Sequence, residues 1–330
     1  STINTSGTVV GPTPMWTTVP GDADAGQAYS KPAVARVLIG GAEKFITVAA
    51  TGIASDNPSA PFTKGRIVAA YDLATGHLLW RFQAKCAVTS DVATFETDDD
   101  LEPGAPTFNG YADRAVFADA CGYLYKVDPA RDLDGGWNDN TGLGSLAVDG
   151  GATTQPDGSI VTTPQYAMFS SRLTPDALGT DSPIAGTLAI RSDSTLRVVI
   201  FFGTGGLESH PTTATNEFYG VYADTGEVRS KMVGTCAASK CEKFYGGAVV
   251  TTEQVIFTRT TDPAVGTTAC DTGSTTVAAV SLEAGTDEDF NVDFTQSIGS
   301  AVMGALYGDA GALYFATLSG DVSRIGTPRS

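Results

Sequence analysis

Histidine is almost missing from this chain, with 2 among 330 residues, and basic side chains are scarce: 20 Lys and Arg against 37 Asp and Glu, a formal net charge of −17. Each shortage excludes something. Without clustered Lys and Arg there is no electrostatic footprint for a phosphate backbone, so nucleic acid is excluded as a partner; cations and basic surfaces fit the charge better. His77 and His210 stand apart from any Ser/Asp constellation, no G-x-S-x-G or H-E-x-x-H pattern occurs, and two imidazoles support no zinc centre. The five cysteines form neither C-x-x-C nor C-x-x-C-H, which excludes thioredoxin-like redox chemistry and c-type haem attachment. No run approaches the roughly 18 apolar residues of a membrane span. Helical periodicity is nearly absent, so the glycine-rich Phe201–Gly206 stretch has no helix behind it to cradle a phosphate. The chain opens on Ser1 with no signal peptide, and the expectation is a mature or processed product.

What is present is strand and turn. Hydrophobic residues make up 42%, with 38 Gly and 16 Pro. From Ala69 to Trp80 an apolar run enters the turn Asp72-Leu73-Ala74-Thr75-Gly76, after which Leu78, Trp80 and Phe82 alternate with Leu79, Arg81 and Gln83. This A-x-D-x-x-T-G-x-x-x-W hairpin resembles the outer half of a propeller blade of the quinoprotein type. Related turns recur at Asp224-Thr225-Gly226 and Leu282-Glu283-Ala284-Gly285. Strand runs then group into five units, four-stranded in the first, third and fourth: 29–36, 44–50 and the hairpin 65–83; 104–108, 114–118 and 122–127, which begin a second; 187–191, 197–202, 217–222 and 227–233; 247–251, 255–260, 276–282 and 290–294; 300–306, 312–317 and 321–325.

The expected fold is therefore all-β, a quinoprotein-like β-propeller with four to five recognisable blades. The length would hold seven, which leaves two readings open. Insertions at about 86–102 and 128–181 take up the length, or the propeller is incomplete and another chain closes it. Residues 15–330 read as the propeller domain and 1–14 as a flexible segment or a closing strand. Within the insertions, 96–102 is a dense acidic run that reads as a solvated loop. Asp132, Asp134, Asn138 and Asp139 begin like a calcium loop but lack the third acid before the glycine and the closing Glu; they are the candidate metal ligands. Cys236 and Cys241 read as a small disulfide-closed loop. Cys86 lies just past the Trp80 strand and Cys121 in the next apolar strand, so a bridge can join successive elements, which leaves Cys270 as a buried free thiol or an intermolecular partner.

In order and spacing, several segments resemble the propeller region of the PilY-type type IV pilus biogenesis and tip-adhesin family. Gly26-Gln27-Ala28-Tyr29-Ser30-Lys31-Pro32-Ala33-Val34-Ala35-Arg36 resembles its G-x-x-Y-x-x-P-x-I-A-R strand, and 65–80 its G-R-x-x-x-Y-x-x-D-x-x-T-G hairpin. Residues 104–108 with 115–128, and 198–205 with 217–222, resemble two further units. The family's calcium loop is reduced here to Asn109 and Asp113, too few oxygens for a hard cation. The resemblance implies a secreted or surface propeller without enzymatic activity, exported through the periplasm, acting in type IV pilus assembly or adhesion. Minor pilins, or another chain completing the propeller, would be its partners, together with a surface or host ligand. No cofactor is implied, calcium being the one cation the residues suggest. Two alternatives remain: a PQQ-type quinoprotein enzyme, whose hairpin is shared, and an outer-membrane scaffold propeller that binds polypeptides.

Overall fold

The computed structural model describes residues 2–3, 9–10, 16, 26, 30–52, 64–97, 109–136, 152–154, 160–162, 167–171, 183–193, 196–205, 215–237, 240–244, 247–261, 274–282, 290, 292–297, 302–307, 313–317 and 322–325. Among them there is no helix; the elements are strands. At the start, β1 (Thr2–Ile3) and β2 (Val9–Val10) pair with one another. The first sheet is an antiparallel meander of β3 (Ala33–Ile39), β4 (Ala42–Ala50), β5 (Ile67–Asp72) and β6 (Leu78–Gln83). The second contains β7 (Ala93–Phe95), β8 (Arg114–Ala118) and β9 (Tyr123–Val127). A separate hairpin of β10 (Ala152–Thr154) and β11 (Ile160–Thr162) follows, and β12 (Ala167–Ser170) completes the second sheet in the order β12-β9-β8-β7.

The third sheet is β13 (Ala189–Ser192), β14 (Val198–Gly203), β15 (Glu217–Tyr222) and β16 (Val228–Val233), again in chain order. In the fourth, β17 (Cys236–Ala237) pairs with β18 (Lys240–Lys243), while β19 (Ala248–Val250), β20 (Gln254–Thr261), β21 (Ser274–Ser281) and β22 (Val292–Ser297) build the sheet. Strands β18 and β19 lie in tandem on one edge of β20, against Thr260–Thr261 and Val255–Phe257. The fifth sheet is β23 (Val302–Tyr307), β24 (Leu313–Thr317) and β25 (Val322–Ile325).

Two stretches read as insertions differ from that expectation. Strand β7 lies inside 86–102 and takes the first place in the second sheet, upstream of the expected 104–108, which falls outside the described residues. Strands β10, β11 and β12 lie inside 128–181, and β12 is the second sheet's fourth strand. The reason is chemical. Ala93-Thr94-Phe95 is too short to show alternation, and neither strand is marked by the D-x-x-T-G turn.

The sheets pack face to face through three apolar layers. Strand β5 is buried on both faces, as are β8 and β9, which is why these segments are apolar in runs rather than alternating. Between the first and second sheets, Val37, Ile46, Val48, Trp80 and Phe82 meet Phe117 and Tyr125; Phe82 sits edge-on to Phe117 with centroids 5.2 Å apart. Between the second and third, Val116, Leu124 and Phe169 meet Ile200, Phe202 and Tyr219. Between the third and fourth, Phe218 stacks on Phe257 at 3.8 Å. Each fully buried aromatic or aliphatic side chain contributes about 1.5–3 kcal/mol. The first strands of the sheets neighbour one another in series, with Cα atoms of β3 and β7, β7 and β13, β13 and β19, and β19 and β23 within 8 Å.

Buried polar groups tie these layers together. The Asp119 carboxylate, wholly buried, accepts from the amides of Cys86, Cys121 and Tyr123, each at 3.0 Å, and from the Tyr125 hydroxyl at 2.9 Å. It thereby braces both ends of the Cys86–Cys121 disulfide, which joins the first and second sheets; the second disulfide is Cys236–Cys241. Burial pushes the Asp119 carboxyl up to about 6, against the pull of its four donors.

Candidate interaction surface

The outer hairpins repeat one geometry. In the first sheet the Asp72 amide donates to His77 O at 2.9 Å and the Gly76 amide to Asp72 O at 2.8 Å; in the third, Tyr222 donates to Glu227 O at 2.9 Å and Gly226 to Tyr222 O at 2.8 Å. Both glycines have positive φ, 74° and 75°, which a side chain would resist. The side chain of Asp72 adds an Asx turn, accepting from Ala74 and Thr75 amides at 3.0 Å each. Although burial pushes its carboxyl up, these donors and Lys44 hold it below the usual carboxylate range.

Three residues before Gly76 and Gly226, and at Leu282, which stands three before Gly285 in sequence, one carbonyl is taken by a donor from outside its own sheet. For Ala223 in the third sheet it is the Lys126 ammonium of β9, in the second. For Leu282 in the fourth it is the Arg229 guanidinium of β16, in the third. For Leu73 in the first it is the indole N–H of Trp16, at 2.8 Å. The hairpin glycines show the same succession. A Cβ on Gly226 would collide with the Met168 carbonyl of β12 in the preceding sheet; a Cβ on Gly76 would lie 2.8 Å from the Trp16 ring. Trp16 also packs on Tyr71, with centroids 5.9 Å apart. It thus stands at the first sheet where an outer strand of a preceding sheet stands at the third.

The strand pairing places Val34, Arg36, Leu38, Glu43, Phe45, Thr47, Ala69 and Tyr71 on one face of the first sheet, the face turned away from the second. Its outer part, Ala69 and Tyr71, is buried. Its inner part is open: Val34 is 60% exposed, Phe45 52% and Leu38 46%. Isolated exposed apolar side chains are ordinary, but three neighbours on one sheet face mark a contact surface. Among them, Arg36 pairs with Glu43 at 2.7 Å and lies 4.4 Å over the Tyr111 ring. Hydrogen bonds with Tyr111 and Glu43 hold its guanidinium above the ordinary value.

The acids singled out as metal ligands sit beside the first hairpin. The nearest Asp132 oxygens are 3.8 Å from Lys44 Nζ and 3.6 Å from His77 Nε2, and Asp134 is also 3.6 Å from His77 Nε2. Asn138 and Asp139 lie outside the described residues, as do Cys270, His210 and 98–102. Among the described residues no group of three or more His, Cys, Asp or Glu side chains gathers as a metal site. In the turn at 109–113, Asn109 Oδ1 accepts from the Tyr111 amide at 2.8 Å, and the Asp113 carboxylate accepts from Thr97 at 2.9 and 2.7 Å. Both oxygen donors there serve the turn.

No protein-family model matches the chain, and no curated protein sequence does. Solved structures do. The Pseudomonas aeruginosa PilY1 C-terminal domain is similar at a TM-score of 0.53 and 14% identity, over 93% of this chain and 74% of that one. Quinohemoprotein alcohol dehydrogenase from Comamonas testosteroni is similar at 0.50 and 10%, over 89% of this chain and 40% of that one. BamB from Moraxella catarrhalis reaches 0.34 at 13%, over 86% and 73%. This chain is a β-propeller. Its sheets are the blades, its first strands line the axis, and its two disulfides are compatible with an extracellular or envelope setting.

Sequence reading takes 29–36 only as a strand, so the open face was missed. One signal was available. In Val34-Ala35-Arg36-Val37-Leu38 apolar residues occupy both parities, which marks a strand meant to be covered on both faces.

Proposed function

We propose that this propeller is a non-enzymatic interaction module of an exported, pilus-type surface assembly, resembling the PilY-type proteins, with minor pilins as its partners in assembly or adhesion. The observation that carries this reading is the open apolar face of the first blade, where Val34, Leu38 and Phe45 stand uncovered beside the Trp16 contact. The order of the family-like segments along the sequence, and the similarity to the PilY1 C-terminal domain, support the pilus setting. Rigid blades joined by buried aromatics and a disulfide suit presentation of a surface rather than turnover. The test is binding of purified minor pilins from the same source to the immobilised chain. Saturable binding that Phe45→Lys weakens supports the reading; absence of binding to every minor pilin counts against it.

The quinoprotein similarity gives a second reading its own test. Titration with PQQ and calcium is expected to leave the cofactor's absorbance spectrum unchanged. A spectral shift with dye reduction in the presence of an alcohol would replace the first reading by an enzymatic one.

A further inference from the structure

The two disulfides stand in opposite electrostatic settings. Cys86 and Cys121 are both buried, and the amides of both donate to the buried Asp119 carboxylate. A thiolate released there would face a negative charge at close range, which disfavours it. Cys236 and Cys241 are direct partners across β17 and β18, with Cys236 exposed and Cys241 buried. Strand alternation puts Lys243 on the same face of β18 as Cys241, and Lys243 is buried too. A thiolate leaving at Cys241 has a cation on its own face of the strand, which works against the cost of burial.

This second bridge closes the connection from the third blade to the fourth. Strand β17 has two residues, too few to hold a hairpin without a staple. Beside the bridge, the Glu242 amide donates to Thr235 O at 2.9 Å and the Thr235 amide donates to Glu242 Oε2 at 2.8 Å. The Glu242 carboxylate also accepts from Arg259 of β20 at 2.6 Å, and its main-chain oxygen accepts from Asn216 Nδ2 at 2.8 Å. From there the chain runs on to Phe244, which lies in the third apolar layer beside Phe218 and Phe257. The β18 side is thus fixed by the third and fourth blades, whereas Thr235 and β17 are held against β18 by the bridge and this short pairing.

We propose that Cys236–Cys241 is a thiol–disulfide exchange site, a latch on the connection between the third and fourth blades that a dithiol opens by entering at Cys236. A thiolate of the dithiol attacks Cys236 Sγ. A mixed disulfide forms as the Cys236–Cys241 bond breaks, and the electron pair leaves on Cys241 Sγ, which takes a proton from solvent. The dithiol's second thiolate then attacks its own sulfur in the mixed disulfide and releases Cys236, which is protonated in turn. The dithiol is oxidised by two electrons to a disulfide, and this chain is reduced by the same two. Opening frees Thr235 and β17 from β18, while Arg259, Asn216 and Phe244 keep β18 in place. The reverse exchange with a disulfide closes the latch again. Cys86–Cys121 takes no part, so the first two blades stay joined, and the exchange needs no pilin.

The experiment exposes the folded full chain briefly to glutathione over a series of reduced-to-oxidised ratios, alkylates free thiols and maps each cysteine by mass spectrometry. Glutathione has one thiol, so the first attack is captured as a mixed disulfide that records which sulfur was entered. Glutathione on Cys236 with alkylated Cys241 is expected in at least about tenfold excess over the reverse arrangement, with Cys86–Cys121 intact. In the same samples, hydrogen exchange at the Thr235 amide is expected to quicken at least about tenfold, while Phe218 and Phe257 stay protected. Adducts shared equally, adducts on Cys241, or none before Cys86–Cys121 opens would each overturn the exchange site. An adduct on Cys236 with unchanged exchange at Thr235 overturns the latch. The variants Cys236→Ser and Cys241→Ser are expected to keep the wild-type near-ultraviolet circular dichroism, and only Cys241→Ser to form the adduct at its remaining thiol. Loss of that signal in either variant shows a bridge needed for folding, and overturns the proposal as well.

Discussion

The Thr187 hydroxyl donates to Asp91 Oδ2 at 2.8 Å, and Asp91 Oδ1 accepts from the Lys31 amide at 2.8 Å. These three residues precede β13, β7 and β3, so one carboxylate ties the inner ends of the third, second and first blades. The Asp91 amide adds a bond to Gly186 O at 2.9 Å. Asp91→Ala removes the acceptor for two donors while leaving them in place, and is expected to cost about 2–3 kcal/mol. Asp91→Asn keeps an acceptor and is expected to recover at least half of the loss. Urea unfolding of the two variants measures both; equal losses would show that charge, rather than hydrogen bonding, holds the inner ends together.

The pH dependence of stability separates two kinds of carboxylate. Asp119 has its folded value raised to about 6, from an ordinary 3.8, by burial. The unfolded chain therefore loses this proton first, and stability falls as pH rises from about 4 to about 6, by at most about 3 kcal/mol. Asp72 and Glu242 behave oppositely. Burial raises both, but Thr75, Ala74 and Lys44 around Asp72, and Thr235 and Arg259 around Glu242, hold them below their ordinary values. Their contributions are present above the unfolded values and disappear on acidification. Comparing wild type with Asp119→Asn isolates the first effect: the wild type's relative stability should decline between pH 4 and pH 6. A relative stability that climbs over that interval would mean that the four donors outweigh burial.

Gly76 and Gly226 have the same backbone conformation but different neighbours. Alanine at either position costs about 1–2 kcal/mol for its positive φ. At Gly226 the new Cβ also meets the Met168 carbonyl, a strand backbone held by the second blade; at Gly76 it meets the Trp16 ring. Gly226→Ala is therefore expected to be the more destabilising by thermal melting. Gly76→Ala is expected to leave the blades intact and displace Trp16, seen as a red shift in tryptophan emission. An unshifted spectrum would place the Trp16 ring elsewhere in solution.

Legibility followed local chemistry. The third blade was readable strand by strand because Asp224-Thr225-Gly226 marks its turn and Phe201, Phe202, Phe218 and Tyr219 mark its buried strands. Strand β12 was not, since it reaches β9 across a long polar stretch and its pairing is decided by packing on Phe202 and Tyr219. Asp119 carries no sequence sign of its role; an acid between two alanines in Ala118-Asp119-Ala120-Cys121-Gly122 reads as a turn residue until the fold buries it. The pairing of Cys86 with Cys121 was readable because Cys86 follows the Trp80 strand and Cys121 lies near the next strongly apolar strands, and consecutive elements are usually adjacent in space. The open face required knowing what lies beside β3, which is a property of the assembled sheets and not of any local stretch.

The two disulfides should respond differently to reductant. Cys86 and Cys121 are both buried and braced by Asp119, whereas Cys236 is exposed beside a buried Cys241. Thiolate attack needs access to a sulfur, so the Cys236–Cys241 bridge should open first in the folded protein. Its sequence separation is 5 residues against 35 for the other, and loop-closure entropy gives roughly 2 and 4 kcal/mol respectively. A stepwise titration with dithiothreitol should therefore release two thiols with little change in near-ultraviolet circular dichroism. The next two should appear only as the signal from Trp80 and its aromatic neighbours collapses. Release of all four thiols in one step would show that the first two blades open as readily as the exposed loop, and that the Asp119 brace adds no protection.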